Sequence, residues 1–328
     1  MSTQEPLLDI DRLKNEVQIR LHALWPDREP NALYEPMRYA MAGGGKLLRP
    51  VLLLLSCQAV DGREEQAMPA ALALELVHNF TLVHDDIMDH DALRRGRETV
   101  YKKWDSNTAI LVGDALLVQA YASLAELEPA LTGLVVGAFS KGILEVCEGQ
   151  MLDKEFELRA RVTLEEYYAM IAKKTGRLFA LACEMGGVLG HAGTEEVAGL
   201  AAYGSLLGRA FQIQDDVLDV LSDEQVLGKD IGSDLRENKK SFLMVHVQQH
   251  GSPTVVSHLA SLRQRDNLSR GDIAEVVELL RQAGTLAAAE HEIARCSREA
   301  IAALQSLPDR PARVRLSQLL TALAHRKF

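Results

Sequence analysis

Basic charge is what this chain most lacks: 36 Lys and Arg stand against 46 Asp and Glu, a formal net charge of −10 over 328 residues. Binding to a phosphate backbone needs the opposite balance, so nucleic acid is excluded as a partner. Any phosphate must be held by local groups or by metal ions. Cysteines are few, and Cys57, Cys147, Cys183 and Cys296 form no Cys-x-x-Cys pair. That spacing suggests neither a zinc site nor a disulfide framework, and a reducing cytoplasm is the expected setting. Only 10 prolines are present, and 47% of the residues are hydrophobic, which is the composition of a large packed core and not of a disordered chain. Long apolar runs are missing too. The longest, around Val51 to Val60, falls far short of the roughly 20 residues that a membrane-spanning helix needs. The start, Met1 to Pro6, has neither the basic residues nor the apolar stretch of an export signal. The expectation is a soluble protein that spans no membrane.

Strand signals are equally scarce. β-branched alternation is rare, while Ala, Leu, Glu, Gln and Arg recur at helical spacing throughout. The sequence predicts an all-α protein, a single domain over residues 1–328. Breaks fall at Trp25–Asn31, Ala42–Gly45, His191–Thr194, Ser222–Asn238 and Gly251–Pro253, and none has the composition of a domain linker. The stretch 222–238 is polar, contains Gly228 and Gly232, and is a candidate loop over a site. Two segments, Ala70–Val83 and Val197–Ile213, are apolar or small nearly all round, as buried helices are.

Each of those helices runs into the same pattern. Asp85-Asp86-Ile87-Met88-Asp89 follows the first, and Asp215-Asp216-Val217-Leu218-Asp219 the second. On a helix, Asp85 and Asp89 share a face, as do Asp215 and Asp219, while Asp86 and Asp216 are rotated by about a quarter turn. Carboxylates gathered at the end of an apolar helix repel one another and lose hydration. A hard divalent cation offsets both costs, and magnesium is commonly held by one or two carboxylates together with substrate phosphates. One such motif alone reads equally well as a solvated acidic helix end. Two, each after a buried helix, favour the metal.

Cations lie near both motifs. Gly43-Gly44-Gly45-Lys46-Leu47-Leu48-Arg49-Pro50 combines close backbone approach with Lys46 and Arg49. It is not a Walker motif, since residue 40 is Ala and Leu47 follows the lysine. Taken alone it is also a helix end followed by a proline-started helix. Arg94-Arg95-Gly96-Arg97 follows Asp89, and further lysines occur in Lys173-Lys174-Thr175-Gly176, at Lys229 and in Lys239-Lys240. His78 and His84 share the helix of the first motif. His84 beside Asp85 leaves open a His-Asp metallophosphohydrolase. No Ser/His/Asp or Cys/His arrangement stands out, and no covalent enzyme intermediate is expected.

Together these residues resemble the trans-isoprenyl diphosphate synthases, the family that includes farnesyl and geranylgeranyl diphosphate synthases. The likeness rests on Gly44-Gly45-Lys46-x-x-Arg49-Pro50, the stretch Glu75–Thr99, Lys174-Thr175, Gly208–Asp219 and Asn238-Lys239-Lys240, in the family's order over residues 43–240. It implies antiparallel helices packed around a deep central cavity with the two aspartate motifs across its mouth, and a homodimer. It also implies ionisation of an allylic diphosphate, condensation with isopentenyl diphosphate, and elimination of a proton to the released pyrophosphate. By motif position magnesium, three ions per site in the substrate complex, would be held by Asp85, Asp86, Asp89, Asp215 and Asp219, with Asp216 in the catalytic set. Isopentenyl diphosphate would meet Lys46, Arg49, His78 and Arg95. The allylic diphosphate would meet Arg94, Lys174, Thr175, Gln212, Lys229 and Lys239. Phe80 and Thr81, five and four residues before the first motif, would face the growing chain, and a ring there points to geranylgeranyl diphosphate. A farnesyl product, a chain of C25 or above, and a class I terpene cyclase are the alternatives. Glu98, where the family often has proline, departs from the pattern and leaves the turn after Arg94-Arg95-Gly96 open.

Overall fold

The computed structural model describes residues 5–25, 28–221, 235, 239–263, 265 and 269–324. Helices dominate, as the composition requires. In order they are α1 (Glu5–His22), α2 (Asn31–Met41), α3 (Leu48–Ala59), α4 (Glu64–Met88), α5 (Val100–Lys103), α6 (Ser106–Leu124), α7 (Pro129–Leu158), α8 (Leu164–Ile171), α9 (Arg177–Leu189), α10 (Thr194–Leu221), α11 (Phe242–His250), α12 (Pro253–Arg263), α13 (Arg270–Gln282), α14 (Thr285–Ala303) and α15 (Pro311–Ala324). Between α8 and α9 one turn, Ala172–Gly176, is wound as a π-helix. The breaks at 42–45, 191–193 and 251–252 fall where the sequence puts them. The candidate loop 222–238 lies outside the described residues but for Leu235.

Two compact units divide the chain. The first comprises Met1–Ile143, Leu178–Ala202 and Leu304–Gln318; the second comprises Leu144–Arg177, Tyr203–Ala303 and Leu319–Phe328. In the first unit α3 and α4 form the centre, with Leu52, Leu53, Leu54, Leu55, Leu74 and Leu76 fully buried. Small residues set how closely its backbones meet. A side chain at Gly186 would overlap the Leu53 carbonyl, so only glycine lets α9 lie against α3 there. The second unit is built on Phe156, Tyr167, Ile213, Val217, Phe242, Val276, Leu280 and Cys296.

Among the described residues, a two-stranded antiparallel pair, β1 (Leu93–Arg94) and β2 (Arg97–Glu98), is the small exception to helix. Its turn residues Arg95 and Gly96 have φ of 53° and 72°, the left-handed pair that a two-residue type I′ hairpin demands. Glu98 pairs with Leu93, so the missing proline is absorbed by a regular hairpin.

The sequence contains no long uninterrupted apolar run, yet two helices are long and apolar enough to cross a membrane by length and composition. These are Ser106–Leu124 and Pro129–Leu158, whose most apolar 18-residue stretches have mean hydropathies of 1.2 and 1.5. The expectation drawn from the run at Val51–Val60 did not take in these interrupted helices, whose apolar residues are spaced among small and polar ones.

Candidate active site

The first aspartate motif closes α4. Asp85 and Asp86 lie in its last turn and Asp89 at its C-cap, where the Asp89 amide still donates to the Asp85 carbonyl at 2.8 Å. The helical stacking of Asp85 over Asp89 is thereby kept. The second motif ends α10, two residues before Leu221. Both sets of carboxylates thus sit at the negative end of a helix dipole, where anions are least stable without a cation. Every donor in the two motifs is a carboxylate oxygen, the ligand type that hard divalent cations prefer. Among the described residues no three metal-ligating side chains converge.

Within the first unit the middle aspartate is already engaged. Asp86 is buried, 4% exposed, and accepts from Arg94 Nε at 2.5 Å, while Arg94 also reaches Asp91 at 3.3 Å. The hairpin is tied to the end of α4 by the Asp91 amide on the Asp86 carbonyl and by the Thr99 hydroxyl on the Asp91 carbonyl. Arg95, next in sequence, turns toward Gly45, where its guanidinium would stand 3.2 Å from an added Cβ. Glycine at 45 leaves room for that cation beside the 43–46 turn.

Arg49, Arg95, His78 and Glu75 form one electrostatic group. Arg49 sits in the first turn of α3, stacked 4.6 Å from the Phe179 ring centroid, and Lys46 is exposed just before it. Burial pushes the Glu75 carboxyl up to about 7, against the opposing pull of Arg49, a hydrogen bond from Asn79 and Arg95. Burial also holds His78 well below its ordinary value, and Arg49, Arg95 and Arg94 add to the effect. A neutral His78 among arginines offers a hydrogen bond without further positive charge. The first unit therefore brings together the cations read from the sequence, and adds Glu75 at their centre.

Phe80 is half-buried on α4, and its ring meets that of His84 edge to face, centroids 4.8 Å apart. The Thr81 hydroxyl donates to the His78 carbonyl at 2.8 Å, so its polarity is spent on its own helix. His84 Nε2 lies 3.2 Å from the Ile110 carbonyl of α6, over Gly113, where any Cβ would overlap the imidazole. These contacts assign His84 to helix packing and remove the motivation for reading it as a phosphohydrolase ligand.

In the second unit, the π-turn carries Lys174 and Thr175. Such single turns add one residue to a helix and re-aim the side chains on it. A Cβ on Gly149 of α7 would overlap the Lys174 backbone, so glycine lets α7 press directly on that turn. Four residues on, Asp153, 6% exposed, pairs with Lys174. Thr175 donates to Gln212 Oε1 at 2.6 Å, and Gln212 Nε2 donates to Asp216 at 2.8 Å. Asp153, Tyr167, Lys174, Gln212, Asp216 and Lys239 line one cavity of about 100 Å³. Asp153, Gly149 and Tyr167 were not singled out by motif. Gly149 and Asp153 stand four apart on one face of α7, but Glu145, Glu148, Lys154, Glu155 and Glu157 lie on the same helix, so nothing local marks Asp153 out. Lys229 lies outside the described residues.

A mostly helical chain with paired aspartate motifs, each accompanied by buried or half-buried cations, defines a class of protein that handles diphosphates with a divalent cation. A polyprenyl synthetase family model matches residues 30–280. A geranylgeranyl diphosphate synthase of Methanosarcina mazei is 44% identical over 247 residues, 74% of this chain and 76% of its own. The crystal structure of geranylgeranyl pyrophosphate synthetase from Pyrococcus horikoshii Ot3 superposes with a TM-score of 0.93 at 36% identity, covering 99% of each chain. A polyprenyl synthase from Caulobacter crescentus CB15, solved with calcium and isoprenyl diphosphate, reaches 0.85 at 26% identity over 98% of this chain and 95% of its own. The chain belongs to the polyprenyl synthetase family.

Proposed function

We propose that this protein is a trans-prenyltransferase that joins isopentenyl diphosphate to an allylic diphosphate and releases a short-chain all-trans product, geranylgeranyl diphosphate. The observation that carries the reading is that each unit holds a carboxylate motif and its own cations: Arg49, Arg94 and Arg95, with the neutral His78, in one, and Lys174 and Lys239 in the other. Two anionic substrates need two such groups, whereas a cyclase or a phosphohydrolase acting on one diphosphate needs one.

Asp85, Asp89, Asp215 and Asp219 would hold magnesium, three ions per site in the substrate complex, with Asp86 and Asp216 behind them. When bound, magnesium neutralises charge developing on the departing pyrophosphate. Lys174 and Lys239, with Thr175 and Gln212, orient the allylic diphosphate so that its C–O bond breaks and the electron pair leaves with pyrophosphate. Lys46, Arg49, His78 and Arg95 would hold isopentenyl diphosphate, whose double bond attacks the allylic cation; a new C–C bond forms, and the proton lost next passes to the released pyrophosphate. Arg94, paired with Asp86, supports the first motif and its diphosphate. Phe80, packed on His84, supports the assignment of a floor beneath the growing chain.

The working unit is proposed to be a cytoplasmic homodimer of a single catalytic domain spanning residues 1–328, without a membrane-spanning segment. Leu111 and Val118, seven apart on α6, are 60% and 69% exposed, and Leu144 and Met151, seven apart on α7, are 62% and 70% exposed. Apolar stripes of this kind are covered by a second copy in a soluble dimer. The decisive experiment is incubation with radiolabelled isopentenyl diphosphate and each allylic primer, with magnesium or EDTA, followed by product sizing. Magnesium-dependent incorporation into a C20 product is expected; no incorporation with any primer overturns the reading.

A further inference from the structure

We infer that Tyr167 is a positioning residue for the second aspartate motif, acting by immobilising Asp216. Asp216 is 3% exposed and Tyr167 is 1% exposed. The Tyr167 hydroxyl donates to Asp216 Oδ2 at 2.7 Å, and the Phe242 amide donates to the same oxygen at 2.6 Å. Gln212 Nε2 donates to Oδ1 at 2.8 Å. One buried carboxylate therefore gathers donors from α8, α10 and α11.

Two physical consequences follow. Phe242 is the first residue of α11, and its N-cap Ser241 makes no side-chain capping bond. Asp216 takes that place: it satisfies an N-terminal amide and sets a negative charge at the positive end of the α11 dipole. A carboxylate committed to three donors in the interior is held rigidly, and its rotation by about a quarter turn from Asp215 places it on a different face of α10. Asp216 thus serves as the anchor of the motif, while Asp215 and Asp219 remain the members on the shared face. Tyr167 supplies the longest-range of the three bonds, 49 residues away in sequence, and a single substitution removes its hydroxyl without changing the backbone or the motif.

This inference rests on the proposed role of the second motif in holding a divalent cation. Its test is Tyr167→Phe in the full chain, read by Mn2+ binding in the presence of inorganic pyrophosphate, from the loss of the free-ion electron paramagnetic resonance signal. Loss of order at Asp216 predicts roughly five- to tenfold weaker Mn2+ binding, about 1–1.4 kcal/mol. The magnesium concentration for half-maximal turnover should rise in parallel, with the KM for isopentenyl diphosphate within about twofold of the parent, as an effect confined to one motif requires. Mn2+ affinity unchanged, whatever happens to turnover or the melting temperature, overturns the inference and leaves Tyr167 a packing residue. Should Tyr167→Phe not fold, Gln212→Leu removes a donor to the same carboxylate and, with inorganic pyrophosphate held at saturation so that its own affinity does not enter, carries the same prediction for Mn2+. Failure of the parent chain to bind Mn2+ with pyrophosphate sinks the metal reading itself, a result separable from any effect of Tyr167.

Discussion

The rings of Phe80 and His84 meet edge to face one helical turn apart on α4, centroids 4.8 Å apart and planes at 67°. One of these residues immediately precedes the first aspartate motif, and the other is the proposed floor of the chain-length cavity. Replacing Phe80 by Ala removes the floor while His84 keeps its contact with α6. The expected outcome is a product at least one five-carbon unit longer, seen by chromatography of the dephosphorylated alcohols. An unchanged product length would place the floor elsewhere.

Gly113 fixes where His84 lies. With Gly113→Ala the new methyl group overlaps the imidazole, so the ring must leave the Ile110 carbonyl and its place against Phe80. Overpacking of this kind costs about 1–3 kcal/mol, and a melting temperature lower by several degrees is expected from calorimetry. A melting temperature equal to the parent's would mean that His84 swings aside without loss.

Glu75 makes stability depend on pH. Its carboxyl titrates near 7 in the folded chain against an ordinary value of 4.5, because burial disfavours the charged form. The folded state therefore holds the proton more tightly than the unfolded state. The associated stability is fully present below about 4.5, declines as pH rises through about 7, and is gone above it. The interval corresponds to about 3 kcal/mol at about 1.4 kcal/mol per pH unit. Denaturant unfolding of the parent and Glu75→Gln at several pH values should show the parent losing stability relative to the variant between pH 5 and 8. Parallel curves would rule out a titration of Glu75 in that range.

Much of this site is legible without coordinates, because its signals are local. Asp85 and Asp89, or Asp215 and Asp219, need only helical periodicity to share a face, and the glycines and cations of 43–50 stand next to one another in the chain. Tyr167 and Asp153 carry no such signal. Tyr167 reads as one aromatic in an amphipathic helix until Asp216, 49 residues on, is placed against it. The π-turn at Ala172–Gly176 likewise lies directly against α7 at Gly149, a contact that nothing within the turn reveals.

By itself, then, the sequence determined the helical class, the two carboxylate motifs and the cations beside them, because composition and short-range spacing act through neighbours in the chain. Tertiary structure alone decided that Asp86 and Asp216 are engaged by Arg94 and by Tyr167, that His84 packs over Gly113, and that Glu75 sits buried among arginines. Each of these depends on desolvation and on contacts between residues distant in sequence, and both arise only when the helices pack.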